Sequence, residues 1–166
     1  MMKNKAVRFA ALASVALVLT ACPYASSVPV AAPSEPVNKE LFGKWIAATD
    51  VDYDDPTYYT IGKRDENRYE VTEFVFRSYD NKYSKTPYLM HSSVVNGKTF
   101  MNVQEETGGD YHIHMIEIGT DEFTLFEVSE NIDEKFSSSG DLRTFIEKNM
   151  GLSFFYSKGE RKFVKK

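Results

Sequence analysis

The sequence has a single cysteine, Cys22, among its 166 residues. One cysteine cannot form a disulfide within the chain, so a folded domain has to be stabilised by its hydrophobic core. The sequence also lacks a Gly-x-Ser-x-Gly motif, a phosphate-binding loop and a dinucleotide-binding fingerprint. These absences favour a non-catalytic binding or interaction module, and they indicate no cofactor.

An excess of positive charge is lacking as well. The chain has 20 basic and 24 acidic residues, and residues 1–21 hold three of the basic ones and none of the acidic ones. The remainder therefore carries a net charge near −7. A negative domain of this kind is not expected to bind nucleic acid, and long-range electrostatics do not draw it to anionic lipid.

The N-terminus has the composition of a secretory signal. Lys3, Lys5 and Arg8 precede an almost unbroken apolar run over 9–19, and small residues follow that run. The run is shorter than the roughly 20 residues that a membrane-spanning helix needs. We therefore predict a cleaved signal peptide over 1–21. Cleavage at an ordinary Ala-x-Ala-like site is the alternative, and it would make Cys22 incidental.

Leu19-Thr20-Ala21-Cys22 stands at the end of the apolar run. This order resembles the lipobox of bacterial lipoproteins. In that family the cysteine sulfur receives diacylglycerol, the signal is cut just before the cysteine, and the new amino terminus is usually acylated. Two or more acyl chains, such as palmitate, anchor a protein stably. The resemblance implies a membrane anchor on Cys22, and Pro23 in the next position implies the outer membrane, facing the periplasm.

A stretch rich in Pro, Ala, Ser and Val follows the cysteine. Its prolines stand at positions 23, 29, 33 and 36, and its first charge is Glu35. Such a composition buries too little apolar surface to fold on its own. We predict a flexible linker over 22–37 that holds a folded domain, residues 38–166, clear of the membrane. A Pro-rich recognition motif is the alternative.

The domain consists mostly of short runs of strand-forming residues between turn residues. Twelve Phe and ten Tyr can supply a large core. Asn96-Gly97 separates two such runs, as a two-residue hairpin turn would. The spacing predicts a mainly β fold of about eight antiparallel strands, forming an up-and-down barrel or a sandwich.

One segment near the C-terminus has helical periodicity instead. Ser138 or Ser139 can cap its start, and Gly151 can cap its end. The apolar residues that share one helix face are Leu142, Phe145, Ile146 and Met150. We predict one helix before the last strand or strands, docked by this face over an open end of the barrel.

Gly43-Lys44-Trp45 opens the first strand of the predicted domain. It is similar to the Gly-x-Trp at the start of lipocalins and of many lipocalin-like bacterial barrels, where the tryptophan plugs the closed end. The resemblance implies that Gly43 and Trp45 close one end of the barrel. It also implies an interior that takes a small apolar ligand. A packed interior would instead leave an envelope protein as the partner.

His112 and His114 are two residues apart in a predicted strand, so both point to one face. Two imidazoles at this spacing suit a zinc or copper ion, with His91 or a carboxylate as a third ligand. In the alternative interpretation the pair faces solvent, and Ile113 and Met115 point inward.

Two further sets of residues are candidates for binding. Tyr58, Tyr59 and Tyr88 are expected at the rim, because tyrosines are common in ligand mouths and interfaces. Four aspartates over 50–55 suggest calcium, but they lack the glycine and glutamate of an EF-hand loop, and a solvated turn is expected. The leading hypothesis is a membrane-anchored envelope lipoprotein that binds without catalysis. The alternative is an envelope enzyme or metal-binding protein that uses His112 and His114.

Overall fold

The structure is a computed structural model that describes residues 24–166. The predicted signal peptide, Cys22 and Pro23 lie outside the described residues. Residues 24–166 form nine strands and one α-helix: β1 Ala25–Ser26, β2 Gly43–Ala47, β3 Tyr58–Lys63, β4 Tyr69–Arg77, β5 Lys82–Val95, β6 Lys98–Glu105, β7 Tyr111–Ile118, β8 Glu122–Val128, α1 Ser139–Asn149 and β9 Tyr156–Lys165.

The strands β2 to β9 close into an antiparallel barrel. Each strand from β2 to β8 pairs with the next one along the chain, and β9 pairs with both β8 and β2. The prediction of an eight-stranded antiparallel barrel, with one helix before the last strand, is therefore confirmed. The two-residue strand β1 is an addition, because it pairs with the start of β7 from outside the barrel.

The predicted hairpin turn at Asn96-Gly97 joins β5 to β6. Asn96 has φ 47° and Gly97 has φ 77°. A two-residue turn with positive φ at both central positions matches the twist of the flanking strands, and Asn-Gly is the pair that adopts it most readily. The local sequence thus sets the register in which Val95 lies opposite Lys98.

The short 3-10 turn Lys39–Leu41 and Trp45 pack together in the core inside the barrel, at what we call the closed end. Leu41 and Trp45 are each 1% exposed, and the indole N–H donates to the Leu41 carbonyl at 2.7 Å. Gly43 has φ 134°, and a Cβ at this position would stand 3.0 Å from the Lys165 side chain. A larger residue at position 43 would therefore disturb the closed end.

A second hydrophobic core lies outside the barrel, between α1 and the outer faces of β5 to β8. Leu142 and Ile146 of the helix pack there with Phe100 and Ile113. The helix therefore covers the barrel wall, and the prediction that it covers an open end is wrong. Within residues 24–166, no helix is long and apolar enough to cross a membrane.

The limits of α1 agree with the prediction at one end only. The Ser138 hydroxyl caps the helix by accepting a hydrogen bond from the Asp141 N–H at 3.2 Å. At the other end Met150 is the cap, in a right-handed conformation, and its N–H donates to Ile146 O. The prediction that Gly151 caps the helix is therefore wrong by one residue.

The N-terminal segment from Tyr24 to Val37 packs on the barrel, which corrects the prediction of a flexible linker there. Tyr24 is 5% exposed and Val30 is 1% exposed, both within the outer core. The Val30 N–H donates to Asn102 Oδ1 at 2.7 Å, and Asn102 is fully buried. The composition did not predict this packing, because the groups that hydrogen-bond to this segment belong to the barrel, far along the sequence. The packed unit therefore begins at or before Tyr24 rather than at Asn38.

Candidate functional site

The barrel encloses a cavity of about 480 Å³. Alternate residues of each strand point inward, and the inner positions near the closed end are apolar. The cavity floor is formed by Ile61, Met90, Met101, Ile116, Phe123 and Phe163. The polar lining residues stand on the same strands, nearer the opposite end. The interior is thus a pocket with an apolar floor and a polar upper part.

Tyr59, Glu73 and Tyr88 form a hydrogen-bonded group on one side of the upper cavity. The Tyr59 hydroxyl donates to Glu73 Oε1 at 2.8 Å, and the Tyr88 hydroxyl donates to Glu73 Oε2 at 3.3 Å. Burial, followed by the Glu73 carboxylate, raises the pKa of each phenol to about 12. Both tyrosines are therefore protonated donors at neutral pH, and each oxygen of Glu73 already has one partner.

His112 and His114 face the cavity from β7. The prediction that both imidazoles share one face is confirmed, but the alternative that this face is solvated is wrong. Ile113 and Met115 do not point into the barrel; they are buried in the outer core beneath α1 and the N-terminal segment. Within residues 24–166, Nδ1 of His112 is buried and has no hydrogen-bond partner. This nitrogen is therefore an unsatisfied polar atom in the cavity wall.

Burial lowers the pKa of His114 to about 4, and the neighbouring His112 and Arg161 add to this effect. The imidazole is therefore neutral near pH 7, and it can donate from one ring nitrogen and accept at the other. This neutral state gives the upper cavity hydrogen-bonding capacity without adding charge.

The low pKa of His114 predicts a loss of stability in acid. His114 binds a proton below pH 6.5 when unfolded, but only near pH 4 when folded. Stability is therefore complete above pH 6.5 and falls as the pH drops towards 4. Between pH 7 and pH 4.5 the free energy of unfolding of the unmodified protein should fall. In His114→Gln we expect this fall to be smaller by about 2 to 3 kcal/mol. Urea unfolding at the two pH values measures this difference, and equal losses in both proteins would contradict it.

His91, the third predicted metal ligand, lies on the other side of the barrel wall. Its Nε2 stands 2.8 Å from the Ala31 carbonyl, so this nitrogen carries the proton and donates. The ring contacts Tyr111 edge-on in the outer layer. The structure thus separates His91 from His112 and His114. Within the described chain, no three His, Cys, Asp or Glu side chains are close enough to hold a metal ion, so the three-histidine site is wrong.

Arg161 and Glu127 complete the polar lining. Arg161 is exposed, so this side of the cavity reaches solvent. Its guanidinium stands 5.3 Å from the Phe163 ring centre, and its charge opposes the rise in the pKa of Tyr59. Neither residue was predicted from the sequence. Strand pairing could have indicated them, because Glu127 stands opposite His114 and Arg161 opposite Leu125.

The predicted tyrosine rim divides between two faces. Tyr59 and Tyr88 line the cavity, whereas Tyr58 lies on the outer wall. There its ring stacks on Phe74, with centroids 4.4 Å apart, and Lys44 Nζ stands 4.0 Å from the ring centre. Two of the three tyrosines predicted at the rim thus line the cavity. The aspartates over 50–55 lie in the connection between β2 and β3.

The cavity lining combines apolar side chains with a small set of polar ones. Among the described residues, the cavity wall has no Ser, Thr, Cys or Lys side chain. It provides neutral donors and acceptors, two carboxylates and one guanidinium. These groups can orient the polar end of a molecule whose apolar part lies on the floor.

Comparison with protein-family models, with curated proteins and with solved structures gives no match for this chain.

Proposed function

We propose that this protein is a lipid-anchored envelope protein whose barrel binds one small, mainly apolar molecule. The main support for this proposal is the cavity of about 480 Å³ inside the barrel. Ligand sites are usually concave, mostly apolar and about 300 to 1,000 Å³ in volume. A barrel filled by its own side chains would have favoured an envelope protein as the partner instead.

The distribution of polar groups narrows the class of ligand. The floor offers apolar contacts only, whereas His112, His114 and the two tyrosines offer hydrogen bonds near the open side. Two carboxylates and one guanidinium give this lining a formal charge of −1. This balance favours a neutral polar end with hydroxyl, amide or carbonyl groups over a strongly anionic head group.

Titration with the apolar fluorophore N-phenyl-1-naphthylamine tests the binding proposal. Its emission should rise and saturate at one molecule per chain, because the cavity removes the dye from water. Neutral amphiphiles of similar size should displace it. A linear rise in emission without saturation would contradict the proposal. So would dye emission that is unchanged by a substitution that fills the cavity.

The anchor is a separate part of the proposal, and it has its own test. In cells grown with labelled fatty acid, Cys22→Ser should carry no label and should be recovered as unprocessed or soluble protein, because the cysteine sulfur is the acylated atom. Urea unfolding of the variant should match that of the delipidated parent chain. Label retained by the variant would contradict the proposal that Cys22 is the anchor.

A further inference from the structure

Tyr24 is held at the open end of the barrel by two hydrogen bonds. The Tyr24 N–H donates to the Val128 carbonyl at 3.4 Å, and the Tyr24 hydroxyl donates to the Glu134 carbonyl at 3.2 Å. Val128 ends β8, which starts at the closed end. Only Pro23 stands between Cys22 and Tyr24. The Cα atoms of Cys22 and Tyr24 can therefore be at most about 7 Å apart. Acyl chains on Cys22 would therefore enter the bilayer close to this corner of the domain.

An exposed apolar loop occupies the same corner. The Ser129 N–H donates to the Phe155 carbonyl at 2.9 Å, which places the loop between α1 and β9 beside Val128. In this loop Phe154 is 60% exposed and Leu152 is 43% exposed, whereas Phe155 is fully buried in the outer core with Tyr24. Large apolar side chains that are exposed next to an anchor suit insertion into a lipid surface.

The apolar loop itself carries no charge, whereas the segments around it do. Residues 150–155 carry no charge, and Lys148 lies in the last turn of α1. The turn between β6 and β7 carries exposed Glu105 and Glu106, and the connection between β2 and β3 carries exposed aspartates. Exposed Glu130, Asp133 and Glu134, in the segment after Val128, lie beside this loop. Acidic groups resist transfer into a bilayer, so only the loop tip with Leu152 and Phe154 is expected to enter the lipid.

We propose that Leu152 and Phe154 insert into the bilayer beside the acyl chains, so that the domain lies on the membrane by this corner. The proposal rests on the acylation of Cys22 proposed above. Its occupant is a lipid surface, because the chain between Tyr24 and Cys22 is too short to hold this corner far from the bilayer.

Site-directed spin labelling of the acylated full chain in phosphatidylethanolamine and phosphatidylglycerol vesicles tests the proposal. Acylation uses the only native cysteine, so an introduced cysteine is the sole thiol. Phe154→Cys is the test site. Thr107→Cys, in the acidic turn at the same end, is the matched control, and Thr120→Cys reports on the closed end. All three positions are exposed, so the substitutions should not prevent folding.

We expect the ratio of oxygen to nickel-chelate accessibility at position 154 to be at least about threefold higher than at 107 and 120, since oxygen partitions into hydrocarbon and the chelate does not. Equal ratios at 154 and 107 would overturn the proposal, whether both sites are in water or both are in lipid. Mass spectrometry of the same samples confirms acylation. Its absence would refute the anchor, whereas acylated protein with position 154 in water would refute only the docking. Dye binding to the cavity is measured separately.

Discussion

Asn102→Ala should lower the free energy of unfolding by about 3 kcal/mol and release the N-terminal segment from the barrel. The Asn102 side chain is fully buried and makes three hydrogen bonds. Its Oδ1 accepts from the Val30 N–H at 2.7 Å, and its Nδ2 donates to the His91 carbonyl at 3.2 Å and to Ser93 Oγ at 3.0 Å. Alanine would leave a buried N–H and a buried carbonyl without these partners, and each such loss costs about 1 to 3 kcal/mol.

Urea unfolding measures the stability change, and amide hydrogen exchange at Val30 measures the release. Gln104→Ala is the matched control, because Gln104 stands two residues further along the same face of β6 and its amide contacts only the Gly109 carbonyl. This control should change stability by no more than about 0.5 kcal/mol. If Val30 stays protected in Asn102→Ala, the Asn102 hydrogen bond is not what holds the segment on the barrel.

Val71→Trp should weaken the binding of N-phenyl-1-naphthylamine at least about tenfold. Val71 is 8% exposed and lines the cavity from β4. An indole at this position fills space that the dye would occupy, and loss of apolar contact worth about 1.4 kcal/mol already gives a tenfold change. Overpacking also costs about 1 to 3 kcal/mol of stability, so binding is measured below the melting transition of the variant.

Thr72→Trp provides the comparison for this substitution. Thr72 is the next residue of β4 and faces away from the cavity, so the same side chain is added outside the barrel. Dye affinity should stay within about twofold of the unmodified protein. Equal weakening by both variants would place the dye on the outer wall, and full affinity in Val71→Trp would show that the dye does not occupy the cavity.

Local signals in the sequence were sufficient for the barrel framework. Asn96-Gly97 indicated its turn because few other pairs adopt positive φ twice, and Ser138 indicated the start of the helix because its hydroxyl caps the first turn. The position of the helix was not predictable in the same way. Its apolar face indicates only that it packs on something, and the outer wall and the open end of a barrel are equally apolar candidates.

The orientation of His112 and His114 was ambiguous for a related reason. The alternation of apolar and polar residues identifies the inner face of a strand only when the other face is exposed to solvent. On β7 both faces are covered, one by the cavity and one by the outer core. The alternation of His112 and His114 with Ile113 and Met115 therefore does not mark a solvated outer face, and the polar residues face the cavity. The packing of residues 24–37 was missed because its main polar partner, Asn102, is an isolated asparagine in a strand, which no local pattern distinguishes.

Because Tyr24 is fixed on the barrel, the domain would stay close to the membrane once Cys22 is acylated. A fifteen-residue flexible chain would spread the domain over about 20 Å above the membrane, because its root-mean-square length is about 5 to 6 Å times the square root of its residue number. The two Cα–Cα steps from Cys22 to Tyr24 instead confine Tyr24 to within about 7 Å of the acylated residue. The barrel opening would then stay near the lipid headgroups, and a ligand dissolved in the bilayer would meet it at a far higher effective concentration than one dissolved in the surrounding water.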